Sequence, residues 1–365
     1  MTTTFIVERK DLRETHWLDA PDAALPPGSV RLRIELFALT ANNITYAAFG
    51  DAMSYWSFFP TPDPDTGCIP VWGFATVAES RGDGVEVGER FYGYFPMADA
   101  VVLLPGRVGP AGFVDEAAHR RELPGIYNHY LRCSADPLHD PAHEGELALL
   151  RPLFTTSFLI DDFLADNAFF DARTVILSSA SSKTAYGTAF CLAQRRGTPQ
   201  AVRVVGLTSA ANADYARGLG CYDEVRLYDE VALLDANAPS VYVDMSGSVP
   251  VRAAVHAHFG DRLRYSCSVG GTHWNELGSG KGLAGPRPVL FFAPAQSRKR
   301  LAEWGSEAFG RKLAQAWHAF MVPVTDAKAP WLQVVRSRGK DAVEATYRAQ
   351  LDGSVPAREG RILGL

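Results

Sequence analysis

Four short apolar runs in the second half of the chain, each followed by a stretch of helical pattern, limit the fold more than any other feature. They are TVILSSA (174–180), AVRVVGL (201–207), SVYVDMS (240–246) and RLRYSCSVGG (262–271). Strands covered on both faces read as unbroken apolar runs, whereas half-exposed strands alternate. Strands alternating with helices every 25 to 40 residues or so predict βαβ crossovers, and hence an α/β chain with a doubly wound parallel sheet. A helix over 147–167, LALLRPLFTTSFLIDDFLADN, precedes these units and stops at an asparagine. The tail at 287–321 adds one more strand and an amphipathic helix.

The first 130 residues have a different rhythm. FIVERKDL (5–12) and SVRLRIELFAL (29–39) mix β-branched and charged residues, and PPG (26–28) marks a turn between them. VWGFATVAES (71–80) and RFYGYF (90–95) are again strand-like, while the proline-rich FFPTPDPDTGCIP (58–70) is not helical throughout. A β-rich domain followed by an α/β domain fits 365 residues, about two domains by length.

Charge and cysteine usage exclude several classes of function. A formal net charge of −5, with no basic cluster, argues against nucleic acid. The five cysteines, Cys68, Cys133, Cys191, Cys221 and Cys267, never fall in a CxxC spacing, so no metal site is expected and reduced thiols are. The opening MTTTFIVERKDLRET turns polar too soon for a secretory signal, and no apolar run is long enough to span a bilayer. A cytoplasmic protein without membrane partners is the expectation. No GxSxG elbow is present to support nucleophilic catalysis.

The turn after the first α/β strand, SSASSKTAYG (178–187), sits where a dinucleotide fold carries its glycines. Ser179, Ser181, Ser182 and Ala185 stand there instead, followed by Lys183 and Thr184. A helix N-terminus with free N–H groups and a partial positive charge favours pyrophosphate, and hydroxyls and a lysine add donors. Serine is also a good N-cap that needs no ligand. The second strand ends GLTSAAN, with Thr208, Ser209 and Asn212 and no carboxylate to hold the adenine ribose. That favours NADP(H) over NAD; polar loop residues are the other reading.

The order of a β-rich domain, a helix, an α/β sheet and a returning tail resembles the medium-chain dehydrogenase/reductase superfamily. EVGERFYGYFP (86–96) is similar to its V-G-D-R-V-Y/F-G strand, and RLRIELFALTANNITYAAFGD (31–51) to the segment with its active-site asparagine. VVGLTSAANADYARGLGCYDEVRLYDE (204–230) and VYVDMSGS (241–248) match further strands. Within the superfamily, SSASSKTAYGTAF and FFAPAQSRKRLAEWG (291–305) resemble the family called domain of unknown function 2855. The resemblance implies a GroES-like β-rich domain at 1–145, a Rossmann-like dinucleotide-binding domain at 146–290, and a segment at 291–365 returning to the first. Gly73, Phe74 and Ala75 replace the G-H-E of the zinc enzymes, which implies the zinc-independent quinone and enoyl reductase branch.

The resemblance also carries site residues. It puts Asn42, or Asn43, at the active-site asparagine, with Tyr46 one helical turn after Asn42 and able to share its face. Helix capping and core packing are the other readings of these three. It implies cofactor contacts for Thr156, or its neighbour Thr155, for Tyr228, for Ser246, and for Gly270 in SVGGTHW (268–274), where His273 is more often structural. The substrate pocket is expected from 51–64 with Tyr92 and Tyr94, a composition suited to a flat or apolar small molecule. The resemblance allows a homodimer. The implied activity is NADP(H)-dependent reduction of an activated C=C bond or quinone, and the alternative is a cofactor-binding or sensing protein without turnover.

Overall fold

The structure, a computed structural model, describes residues 1–22, 24–269 and 282–365. The chain divides into two units, Met1–Arg151 with Leu332–Leu365, and Pro152–Trp331. The first division falls within the helix Glu144–Asp166, later than the 145/146 boundary read from sequence. The tail at 291–365 is itself divided. Its helix Ala293–Val324 stays with the second unit because Phe320 stacks on Phe154 at 4.4 Å and meets Phe190 at 5.3 Å. Only the residues from Leu332 onward join the first unit.

In the first unit, nine strands form one sheet among the described residues. Its centre is Val30–Leu39 against Pro70–Ser80, which pairs in turn with Arg90–Pro96, all antiparallel. The C-terminal strand Glu359–Gly364 lies beside Val30–Leu39, Arg361 opposite Leu39, and is itself paired in parallel with Gln333–Arg338. A three-stranded antiparallel sheet holds Thr2–Glu8 between Thr15–Ala20 and Thr66–Gly67. Phe5, Val30, Leu32, Phe37, Phe91, Phe95 and Tyr347 are fully buried in the core.

The second unit is a six-stranded parallel sheet. From edge to edge its strands are Glu224–Leu227, Arg203–Thr208, Thr174–Leu177, Ser240–Asp244, Leu263–Ser268 and Val289–Leu290. Numbered by sequence within the unit this is 3-2-1-4-5-6, the order of dinucleotide-binding folds. Residues 174–177 and 240–244 are buried throughout, as two covered faces require. Glu224–Leu227 is absent from the four apolar runs because it is an edge strand. Its EVRL alternates charge, and Glu224 pairs with Arg203 at 2.6 Å and with Arg226. No described helix is long and apolar enough to cross a membrane.

Candidate functional site

Strand order reverses between Thr174–Leu177 and Ser240–Asp244, and crevices at such a reversal are where open α/β sheets bind ligands. Both strand ends are tied there by a buried polar network. The Ser178 hydroxyl donates to Asp244 Oδ1 at 2.9 Å and accepts the Met245 and Ser246 amides at 2.9 and 3.1 Å. The same carboxylate oxygen accepts the Ser246 hydroxyl and the Gly247 amide, both at 3.0 Å. Arg252 Nε donates to Asp244 Oδ2 at 2.9 Å, with Asp244 fully buried and Arg252 nearly so. A buried charge persists only when paired and hydrogen-bonded in this way. Sequence reading placed Ser246 at this point and Ser178 among the hydroxyls of the turn, and missed Asp244 and Arg252. The signal for them was a carboxylate closing an otherwise apolar strand.

Beyond Ser178 the backbone turns sharply. Ser179 has φ +54°, the left-handed conformation that the glycine of a dinucleotide turn supplies freely and an L-residue adopts at a cost. Burial pushes the Tyr228 phenol up, and hydrogen bonds with the Ser179 amide and hydroxyl oppose the shift, so Tyr228 reaches this turn. Ala180 donates its amide to Leu207 at 3.0 Å, and its carbonyl accepts the Tyr222 hydroxyl at 2.8 Å. Ser181 is buried in the turn, and Ser182 is the N-cap of the helix Lys183–Ala193, accepting the Ala185 amide at 3.4 Å. The capping reading therefore holds for Ser182. Lys183 is half-buried at the first helical position.

The remaining residues expected at a cofactor are more dispersed in their bonding. The Thr184 carbonyl accepts the Ser157 hydroxyl at 2.8 Å. Thr156 turns its hydroxyl back to the Pro152 carbonyl of its own helix at 3.1 Å. Thr208 is buried at its strand end, and Asn212 donates to the Ser209 hydroxyl at 3.3 Å. Gly270 and His273 lie outside the described residues.

In the first unit the helix Ala41–Ala48 separates the two asparagines. Asn43 is buried and holds the helix start: its Oδ1 accepts the Thr40 amide and hydroxyl at 2.8 and 3.0 Å, and its Nδ2 donates to the Pro70 carbonyl at 2.9 Å. These bonds are those of the capping reading of Asn43. Asn42 does lie on the face of Tyr46. The Tyr46 oxygen accepts from the Asn42 side chain, from the Tyr127 hydroxyl and, at 3.4 Å, from Trp72 Nε1.

Tyr46 belongs to an aromatic cluster with Tyr55, Phe58 and Tyr94 buried, and Phe49, Phe59, Trp72 and Tyr127 packed against it. Trp72 stacks on Tyr92 at 5.4 Å, and the Tyr55 and Tyr127 hydroxyls lie 3.2 Å apart. Burial, and then the neighbouring Tyr55, raise the Tyr46 phenol above its ordinary range, while the bonds from Trp72 and Asn42 offset part of the rise. Tyr46 therefore stays protonated and acts as a hydrogen-bond donor. The hydroxyls of Tyr92 and Tyr94 are buried without a partner. An unmade hydrogen bond at such a group costs about 1–3 kcal/mol.

The fold recurs in solved structures at low sequence identity. CurA of Vibrio vulnificus, crystallised in complex with NADPH, superposes with a TM-score of 0.61 at 13% identity, covering 99% of this chain and 98% of that one. An enoyl thioester reductase from Candida tropicalis, in a mutant form, gives 0.58 at 10% identity over 100% and 99% of the two chains. The quinone oxidoreductase from Coxiella burnetii gives 0.55 at 13% identity over 100% and 99%. No curated protein matches in sequence. At residues 37–356 the chain matches the model of the family described as Protein of unknown function (DUF2855), and it belongs to that family.

Proposed function

We propose that this protein is an NADP(H)-dependent reductase of an activated C=C bond or a quinone. The observation that carries the reading is the serine turn at the point where the order of a 3-2-1-4-5-6 sheet reverses. The residues there fit a dinucleotide. A left-handed residue, Ser179, turns the chain into the helix starting at Lys183, and the first amides of a helix have no partner within it. Ser179, Ser181, Lys183 and Thr184 would hold the pyrophosphate, and Thr208, Ser209, Asn212 and Tyr228 the adenine end. The absence of a carboxylate from 208–212 favours the 2′-phosphate of NADP(H). Solved relatives in fold bound to NADPH or NADP support the same cofactor.

When bound, the nicotinamide supplies hydride, and the chain's own residues position and polarise the acceptor. Tyr46, its oxygen bonded by Asn42, Trp72 and Tyr127, would donate its proton to a substrate carbonyl oxygen. Negative charge that develops on that oxygen is stabilised by fixed donors in a site of low dielectric. Tyr92 and Tyr94 offer further hydroxyls, and Trp72 a flat apolar surface for a conjugated substrate.

Purified protein with NADPH and a panel of quinones, enones and enoyl thioesters tests this by loss of NADPH absorbance. At least one substrate class should turn over, and Tyr46→Phe should lower kcat by about 100-fold, the scale for one oxyanion donor, with NADPH affinity unchanged. Tight NADPH binding without oxidation across the panel would favour the sensing role instead.

A further inference from the structure

A second cluster of chemistry-bearing side chains lies elsewhere in the first unit. Cys133, His139 and Glu144 come from the connection between the strand His129–Arg132 and the helix Glu144–Asp166. Their sulfur, ring nitrogen and carboxylate oxygen lie within 4.8 Å of one another. His139 Nε2 is 3.0 Å from Glu144 Oε1, and both side chains are 10% exposed. Arg90 grips Glu144 with two bonds of 2.6 Å, and Arg90 is also paired with Glu35.

We propose that Cys133, His139 and Glu144 form a zinc site. Thiolate, imidazole and carboxylate are the ligands zinc takes, at about 2.0–2.3 Å in a tetrahedron whose ligand atoms stand roughly 3.3–3.8 Å apart. The present spacing needs only side-chain adjustment to reach that. The ion replaces the proton shared by His139 and Glu144, the thiol proton leaves to solvent as Sγ bonds the metal, and water completes the tetrahedron. Glu144 and the Cys133 thiolate bring two negative charges to a divalent cation, with the imidazole neutral, while Arg90 and Arg33 face Glu35 beside them. Arg90 orients the ligating carboxylate from outside, as outer-shell partners of metal ligands do. CxxC spacing does not announce the site, because the three ligands are gathered by a loop and a helix start.

Titration of chelator-treated full-length protein with cobalt(II), and then displacement by zinc, tests the assignment independently of NADPH binding or turnover. One equivalent of cobalt should bind with visible bands of tetrahedral intensity and a near-ultraviolet thiolate charge-transfer band. Cys133→Ser should abolish the charge-transfer band and weaken zinc by on the order of 100-fold or more. His139→Gln should keep the band while weakening zinc at least tenfold, about the scale of an outer-shell loss or beyond. Far-ultraviolet dichroism checks that both variants fold, and the other four cysteines remain in each as internal controls. Weak cobalt binding without charge transfer in the unmodified protein, or a charge-transfer band that survives Cys133→Ser, would overturn the site.

Discussion

At the residue scale, Ser179 shows how the chain keeps the turn of a dinucleotide fold without its glycine. The left-handed conformation costs an L-residue roughly 1–2 kcal/mol, and the bonds to Tyr228 return part of it. Ser179→Gly should therefore raise the free energy of unfolding by about 0.5–1 kcal/mol in urea titration, since glycine also gains entropy when unfolded. A loss of stability would mean that the hydroxyl's bond to Tyr228 outweighs the backbone strain. The phenols behave collectively. Tyr46, Tyr92, Tyr94 and Tyr127 are all raised, chiefly by burial. Above about pH 10 the unfolded chain gives up phenol protons that the folded chain retains. The folded state then binds more protons, so stability is intact below about pH 10 and falls as pH rises beyond it. Urea melts across the alkaline range, with tyrosinate absorbance followed in parallel, should show ionisation coincident with unfolding. Ionisation of these phenols at ordinary values in the folded state would contradict their burial.

At the element scale, the packing of the helix Lys183–Ala193 against Glu144–Asp166 depends on Gly187. A Cβ there would stand 2.7 Å from Ser157 Oγ and 3.1 Å from its Cβ. Gly187→Ala should lower stability by about 1–3 kcal/mol through overpacking, visible as a drop in melting temperature, despite alanine's better helix propensity. An unchanged or higher melting temperature would show that the two helices separate at little cost. The same elements show where sequence reading succeeds. TVIL and SVYVD, buried on both faces, are legible because only apolar residues survive there. EVRL is not, because an edge strand tolerates charge. Nor does NAFFD announce that Ala168 through Asp171 all take positive φ, since left-handed turns of this kind are held by tertiary packing, here Phe170 stacked on Tyr265 at 4.1 Å. Asn43 is ambiguous in the sequence for a related reason. A good capping residue and a good catalytic amide have the same side chain, and only the position of the Pro70 carbonyl decides between them.

At the scale of the whole molecule, strand order carries the argument that no single motif does. The glycine fingerprint is absent, yet the sheet is wound 3-2-1-4-5-6 and its point of reversal is closed by Ser178, Asp244 and Arg252. Backbone topology, not glycine content, is what places a helix N-terminus beside that crevice. The central claim is that NADP(H) binds there, and direct titration of the protein with NADPH and with NADH, read by nicotinamide fluorescence or calorimetry, tests it. NADPH should bind with a micromolar dissociation constant, at least about tenfold tighter than NADH, a difference of ~1.4 kcal/mol. Lys183→Ala should lose about 1–3 kcal/mol of that binding, the scale of a hydrogen bond to a charged group. Failure of both nucleotides to bind below about a millimolar, or equal affinity for the two, would contradict the account.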